Sequence, residues 1–129
     1  MLFRSCDASL PTHMLEYWAR DRGCGPRIPL EEVVHGWTER AASAIGLQDR
    51  GRLAPGFKAD INLIDAGHVA LLPPRVHHDL PAGGRRMVQG AKGYVATFCD
   101  GVQTVDGDAF TGELPGGLLS QVALRSLLE

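Results

Sequence analysis

Cysteine is scarce in this sequence, and the three that occur, Cys6, Cys24 and Cys99, are widely separated. No two of them form a close pair, and no histidine follows at zinc-finger spacing. Structural zinc sites and small disulfide-rich folds both depend on such compact spacing, so neither is expected here. Cys6 and Cys99 are predicted to be small buried apolar residues.

Long apolar runs and clusters of basic residues are also missing. No stretch approaches the roughly 18 apolar residues that span a bilayer, and the start MLFRSCDASLPT lacks the apolar core of a signal peptide. Thirteen basic and fifteen acidic residues give a net charge of −2, without a run of Lys or Arg that could neutralise a row of phosphates. We therefore expect a cytoplasmic protein that binds neither membrane nor nucleic acid.

The length excludes a complete large enzyme barrel. A chain of 129 residues has the size of one ordinary domain, whereas a (β/α)8 barrel takes about 250 residues. A domain of this size buries roughly two thirds of the surface that its unfolded chain exposes.

Two helical segments are predicted in the first part of the chain. The first begins near residue 10, can be capped by Asp7 or Ser9, and ends at the glycines of residues 23–25. Its apolar residues recur with the helical period: Leu10, Met14, Tyr17 and Trp18.

The second helical segment opens at Pro29, which suits a first helical position. Gly36 and Thr38 weaken its middle and predict a break into two shorter helices. Gly46 is placed to close the last turn in a left-handed conformation, with Leu47 folding back on it. The apolar stripe consists of Leu30, Val33, Val34, Trp37, Ala41, Ala44 and Ile45.

After residue 48 the period of the apolar residues changes from helical to alternating. Pro55-Gly56 fits a type II turn, and Ala59, Ile61 and Leu63 alternate with polar residues, as in a half-buried strand. Residues 67–92 have the weakest pattern and are predicted to form a long ordered loop with short strands.

The last part of the chain predicts a hairpin meander. Apolar and β-branched runs flank Asp100-Gly101 and Asp106-Gly107, which are strong hairpin turn signals. The apolar content of residues 118–128 predicts a final short helix.

Five segments, in this order, resemble the carboxyl-terminal part of the amidohydrolase superfamily, in its D-aminoacylase-like branch of N-acyl-D-amino-acid deacylases. They are CDASLPTHMLEYWARDRG, RIPLEEVV, ASAIGLQDRGRLAPGFKADINLID, HDLPAGGRRMVQGAKGYVATFCDGV and DGDAFTGELPG. The resemblance runs from about Cys6 to about Gly117. Its most specific parts are GLQDRGRLAPGFKADINLID and LPAGGRRMVQGAKGYV.

The resemblance implies a metal-dependent hydrolase with a (β/α)8 barrel and a small β-sandwich assembled from both ends of the chain. Residues 1–48 would then be the last outer helices of the barrel, and residues 49–129 would belong to the sandwich. The expected fold class is α+β, with helices followed by a small antiparallel β-sandwich or meander, packed as one compact unit.

The resemblance also implies zinc in the full-length family, held by a His-x-His pair, further histidines, a bridging side chain and an Asp on the last barrel strand. No His-x-His occurs in this chain, and the last-strand Asp would precede CDASLPT, where the chain has MLFRS. We therefore expect no catalytic residue, metal ligand or cofactor in this chain.

Two local clusters remain open to more than one interpretation. His77-His78-Asp79 contains good metal ligands, but neighbouring residues of an extended chain point to opposite sides, so a solvated loop or a hydrogen-bonded histidine is the alternative. Arg85-Arg86 could hold a substrate carboxylate by paired hydrogen bonds, or form ion pairs within the small domain.

Single residues give weaker signals. Asp7 lies nearest the expected catalytic face and is the candidate for substrate binding, although an Asp before a helix is commonly a cap. Ser9 has no histidine at an interpretable spacing, so a nucleophilic triad is not supported. The remaining histidines, His13, His35 and His68, are isolated and are interpreted as surface or core residues.

Two functional classes follow from these observations. The chain is part of an N-acyl-D-amino-acid deacylase-like hydrolase of amides, or it is a noncatalytic fragment that folds and self-associates. In either class the apolar helix stripes lack the barrel strands that would cover them. A homo-oligomer, with Trp18 or Trp37 in the interface or the core that it completes, is therefore expected.

Overall fold

The computed structural model describes residues 9–118. Its first helix has two parts, because α1 (Leu10–His13) continues directly into a π-helix (Met14–Asp21). The π-helix ends with a bond of 2.8 Å from the Arg22 N–H to the Tyr17 carbonyl, the five-residue spacing of that helix type. The helix and its end before Gly23 were predicted from the sequence, but its π period was not.

The second helical segment is broken where Thr38 stands. Helix α2 (Leu30–Trp37) and helix α3 (Glu39–Ala44) flank that residue, whose φ and ψ are −113° and −91°. Pro29 lies one position before its predicted place, at the N-cap rather than the first helical residue. Gly46 closes α3 with φ 81°, and the Leu47 N–H bonds to the Ala42 carbonyl at 2.9 Å. The predicted break and closing turn are both confirmed.

Within residues 9–118, eight strands follow the helices, and four of them form one antiparallel sheet in the order β1-β6-β7-β8. The strands are β1 (Ile61–Ile64), β2 (Ala70–Leu71), β3 (Arg75–Leu80), β4 (Gly84–Val88), β5 (Ala91–Lys92), β6 (Tyr94–Cys99), β7 (Val102–Asp106) and β8 (Ala109–Phe110). The meander from β6 to β8 was predicted, and the α+β class is confirmed. The barrel and sandwich assignments, and the division at residue 48, stay predictions.

Residues 67–92 are more regular than expected. Strand β2 pairs with β5 and β3 pairs with β4, so two antiparallel pairs are nested in one ribbon. The turn at its tip is a short 3-10 segment, Pro81–Gly83, in which Ala82 has φ 58°. A non-glycine residue in that conformation is unusual, so the sequence carried no clear turn signal.

The predicted turns are present, with one displacement. Pro55-Gly56 turns the chain with Gly56 at φ 87° and a bond from the Phe57 N–H to the Ala54 carbonyl. Asp100 and Gly101 both have positive φ, as a type I′ turn requires. The second hairpin turns one residue later than predicted, at Gly107 and Asp108, because Asp106 pairs with Ala109.

The described part of the chain has a very small core. Its only buried apolar side chains are those of Val33, Ala42, Val69 and Ala96. The predicted half-buried strand is correct in position, but Leu63 is 56% exposed. Residues 9–118 therefore leave most side chains of strand β1 uncovered.

Two predictions meet the limits of the described residues. The predicted final helix falls almost wholly in residues 119–129, outside the described residues, and Leu118 is not helical. Cys6 also lies outside, whereas Cys99 is half-buried rather than buried. Neither Cys24 nor Cys99 forms a disulfide within residues 9–118.

Candidate functional site

The described residues form a concave surface with a cavity of about 750 Å³, which we call the groove. It lies between the first helix, helix α2 and strand β1. Apolar residues dominate its walls, a common feature of binding sites. They include Leu15, Ala19, Leu30, Val33, Val34, Trp37, Leu63, Ile64 and Val69.

The first helix is fastened to the β-structure through three polar side chains. The hydroxyls of Thr12 and Tyr94 lie 2.7 Å apart. The Leu71 N–H donates to Glu16 Oε2 at 3.0 Å, and Arg20 Nη1 donates to the Ala66 carbonyl at 2.9 Å. Thr12, Glu16 and Arg20, the three anchoring residues, follow one another at intervals of four positions along the helix. The predicted apolar stripe on its other side is not buried, and Leu10 and Tyr17 are exposed.

Strand β1 forms one wall of the groove, and one of its edges is open. Within the described residues it pairs only with β6. The Ala59 carbonyl accepts from the Gly101 N–H, and the Asp65 N–H donates to the Gly93 carbonyl. The backbone N–H and C=O groups of the odd-numbered residues from 59 to 65 therefore point toward β6 and the turns that flank it. Since backbone groups alternate along a strand, those of Asp60, Asn62 and Ile64 point outward. The same three residues line the groove.

Asp49, Arg50 and Asp60 form a paired charge cluster beside the groove. Arg50 donates to both carboxylate oxygens of Asp49, at 3.0 and 3.1 Å, and to Asp60 Oδ2 at 3.2 Å. The hydrogen bond from Arg50 holds the pKa of Asp49 below its ordinary value and raises that of Arg50. Asp60 Oδ1 also accepts from the Asp100 N–H at 2.9 Å. These contacts join the segment that leaves the helices to the turn between β6 and β7.

The groove has the chemistry of a docking surface. Asp60 is the only carboxylate among the described residues that line it, and two hydrogen bonds hold it in place. Histidine, cysteine and serine do not occur in this lining set. An apolar wall beside a strand edge suits an extended, apolar peptide segment better than it suits acid–base catalysis.

The histidine cluster lies on the exposed ribbon, away from the groove. His77, His78 and Asp79 belong to β3, whose six residues are all exposed. Asp79 accepts from Arg86 at 2.6 and 2.9 Å, and this hydrogen-bonded pair lowers the pKa of Asp79. Of the two interpretations of Arg86, the structure shows the ion pair. Arg85, also on β4, is exposed.

The isolated candidates do not converge on one place. His13 stacks on Tyr17 with ring centroids 5.4 Å apart, and His35 lies 3.6 Å from Glu39. His68 contacts Asp65 at 2.8 Å on an exposed turn. Ser9 is buried at the start of α1, and Asp7, the substrate-binding candidate, lies outside the described residues.

The sequence did not reveal the anchoring set, nor which strand carries the open edge. Thr12, Glu16 and Arg20 lie across the helix from the apolar stripe, and their four-residue spacing was the available signal. No sequence pattern distinguishes an edge strand from a central strand as short as β1. The position of Asn62 on the open edge was therefore not predicted, nor was the hydrogen bond that its Oδ1 accepts from Thr97 at 2.8 Å.

The described part of the chain does not fit a zinc ion. Within residues 9–118, no three His, Cys, Asp or Glu side chains are grouped so that they could hold a metal. No step of metal chemistry is therefore assigned to these residues. Among the same residues, no helix has the length and apolar character needed to cross a membrane.

Comparison with known proteins gives the family. The model of the amidohydrolase family matches residues 7–105. D-aminoacylase of Alcaligenes xylosoxydans xylosoxydans is 30% identical over 110 residues, which are 85% of this chain and 20% of that protein. N-acyl-D-aspartate deacylase of the same organism is 31% identical over 93 residues, covering 72% of this chain and 17% of the relative.

Another relative has a higher sequence identity to this chain, but over a shorter segment. An imidazolonepropionase of Cereibacter sphaeroides is 48% identical over 50 residues, or 39% of this chain and 13% of that enzyme. No solved structure matches the chain significantly. The chain spans a fifth or less of the length of these relatives. It belongs to the amidohydrolase family, in the D-aminoacylase-like branch.

Proposed function

We propose that this chain is the carboxyl-terminal, structural portion of a metal-dependent hydrolase that acts on N-acyl-D-amino acids. The names of two relatives, D-aminoacylase and N-acyl-D-aspartate deacylase, support the substrate class. Each corresponds to this chain over 17–20% of its own length. The catalytic part of such a hydrolase would therefore lie in sequence that this chain does not contain.

The observation that carries the proposal is the uncovered apolar surface of the groove. Val34 and Trp37 on α2 are 46% and 42% exposed, although they lie on the apolar face of the helix. Fully burying a large apolar side chain contributes about 1.5–3 kcal/mol. A protein whose stability is typically about 5–15 kcal/mol cannot leave many such side chains in water. The surface suits the outside of a larger folded body.

Hydrolysis by this chain would need groups from elsewhere. In a metal-dependent hydrolase the bound ion generates a nucleophile from water and polarises the amide carbonyl. The described residues supply a fastened helix, a short sheet and a charge-paired crossing between them. Their role in the hydrolase is structural: the β-region holds the helices in place against the catalytic portion.

The test compares two polypeptides for zinc content and for deacylation of N-acyl-D-amino acids. One is the 129-residue chain, and the other is the longer product of any in-frame coding sequence upstream. We expect the longer product to contain zinc and to be active, and the shorter chain to do neither. About one zinc per short chain, with turnover lost on chelation, would contradict the proposal.

A noncatalytic, self-associating module is the second candidate, and the open edge of β1 favours it. An unpaired strand edge beside an apolar groove is a template for association. Absence of any in-frame coding sequence upstream, together with an inactive chain, would support the module over the hydrolase portion.

A further inference from the structure

The two edge strands of the four-stranded sheet differ in how they are protected. Strand β8 has only two residues and lies between Asp108 and Gly112, two residues with positive φ. Strand β1 has four, Ile61–Ile64, with no lysine, proline or glycine among them. Short strands, charges and prolines are the usual devices that prevent edges from pairing. Strand β1 is longer than β8 and carries neither a charged residue nor a proline.

The open edge of β1 is also equipped to accept a strand. The outward N–H and C=O groups of Asp60, Asn62 and Ile64 form no backbone hydrogen bond with any described residue. Leaving such groups unpaired in an apolar groove costs free energy. A helix cannot satisfy them, because its own backbone groups are bonded internally. The occupant of the groove is therefore an extended segment.

A second copy of β1 fits the edge without a conflict of charge. In an antiparallel pair centred on Asn62, Asp60 of one copy lies opposite Ile64 of the other. Asp60 is the only charged residue in this stretch, and Arg50 neutralises it within its own chain. Like charges directly opposite each other would destabilise the pair, and this register contains none.

We propose that β1 is a dimerisation strand, which pairs with β1 of a second copy about a two-fold axis to form a continuous eight-stranded sheet. A two-fold contact uses the same surface on both copies. Helix α2 lines the groove beside β1, so pairing brings the exposed Val34 and Trp37 of the two copies toward each other. The inference rests on the second candidate function, the self-associating module, and not on hydrolase activity.

The test is sedimentation of the 129-residue chain over a range of micromolar concentrations. The wild-type chain is expected at twice its monomer mass of 13.9 kDa. Asn62→Pro removes an outward N–H and leaves the backbone hydrogen bonds between β1 and β6 in place, and proline is tolerated at such edge positions. It also removes the side-chain bond from Thr97 to Asn62 Oδ1. We expect this variant to weaken dimerisation by about tenfold or more, because each copy loses a buried hydrogen bond across the β1–β1 pair.

Phe110→Pro is the matched control on the other edge. The Thr111 N–H bonds to the Thr104 carbonyl, so the Phe110 N–H points away from β7, and its replacement should leave the dimer intact. Circular dichroism checks that each variant keeps its secondary structure. A dimer that both prolines weaken equally would overturn the proposal.

A second variant covers the case in which Asn62→Pro does not fold. Val34→Lys places a charge on the exposed face of α2 and should also weaken the dimer. A compact wild-type monomer throughout the range would overturn the proposal. So would a dimer insensitive to changes at both Asn62 and Val34. A monomer would instead assign the edge to a strand of a longer polypeptide.

Discussion

The hydroxyl groups of Thr12 and Tyr94 lie 2.7 Å apart and join helix α1 to strand β6, 82 residues away in sequence. Thr12 is only 3% exposed, so this polar contact sits in the small buried region of the described chain. Glu16 and Arg20 continue the attachment along the helix by bonding to backbone groups of the β-region. The first helix is thus held by hydrogen bonds where most helices are held by apolar packing.

We predict that Tyr94→Phe and Thr12→Val each lower the free energy of unfolding by about 1–3 kcal/mol, because each leaves a polar partner without its hydrogen bond. The double variant should lose less than the sum of the two, since the second change removes the unsatisfied group. Urea denaturation of the four proteins forms the cycle. Strictly additive losses would show that the two hydroxyls do not interact.

Gly93 makes the closest backbone approach among the described glycines. A Cβ at this position would lie 2.6 Å from the Val69 Cα, and the residue has φ 94°. We expect Gly93→Ala to lower stability by about 3 kcal/mol or more, combining a steric clash with backbone strain.

Gly46→Ala is the control for that change. Gly46 also has positive φ, at 81°, but a Cβ there would meet no atom within 4 Å. It should cost only about 1–2 kcal/mol, the strain of a left-handed alanine. Equal losses in the two alanine variants, measured by thermal or urea unfolding, would mean that the contact with Val69 relaxes freely.

Gly101 tests the turn between β6 and β7. Its φ of 82° follows Asp100 at 50°, and a β-branched residue is penalised in this region. Gly101→Val is predicted to lower the melting temperature, whereas Gly116→Val should not, because a Cβ at Gly116 meets open space. If Gly101→Val melts with the parent protein, the type I′ turn is not formed in solution.

Local signals predicted the chain reversals well. Gly46 with Leu47, Pro55 with Gly56, and Asp100 with Gly101 each specify a backbone conformation that few other residues adopt, and each was found in place. The second hairpin was displaced by one residue because Asp108 also takes positive φ, and Asp is one of the residues that tolerate it.

The groove could not be predicted, because it depends on contacts between distant segments. An α-helical pattern of apolar residues indicated the first helix, but nothing in that pattern reveals the π spacing or the attachment of Glu16 to Leu71. The alternation around Ile61 predicted the position of the strand correctly. It did not predict the burial, because three of the four residues of β1 are exposed within the described part of the chain.

The last prediction concerns acid stability and the pair formed by Asp49 and Arg50. Their side chains are 18% and 22% exposed, so solvent screens this pair less than the other Arg–carboxylate pairs of the described chain. The hydrogen bond from Arg50 lowers the pKa of Asp49 below its ordinary value of 3.8. Folding therefore favours the charged carboxylate, and the stabilisation is fully present above the unfolded-state pKa. It is lost as the pH falls through the lowered, folded-state pKa.

Asp49→Asn should accordingly be less stable than the wild type at neutral pH, by about 1 kcal/mol or less. The difference should shrink as the pH falls below about 4 and disappear in stronger acid, where the wild-type carboxyl is also neutral. Urea denaturation at a series of pH values measures it. Asp106→Asn is the control, because Asp106 forms no salt bridge within residues 9–118 and its replacement removes a carboxylate without breaking an ion pair. A constant deficit for Asp49→Asn from neutral pH into strong acid would show that Asp49 acts through its shape or its backbone, and that the ion pair with Arg50 contributes nothing.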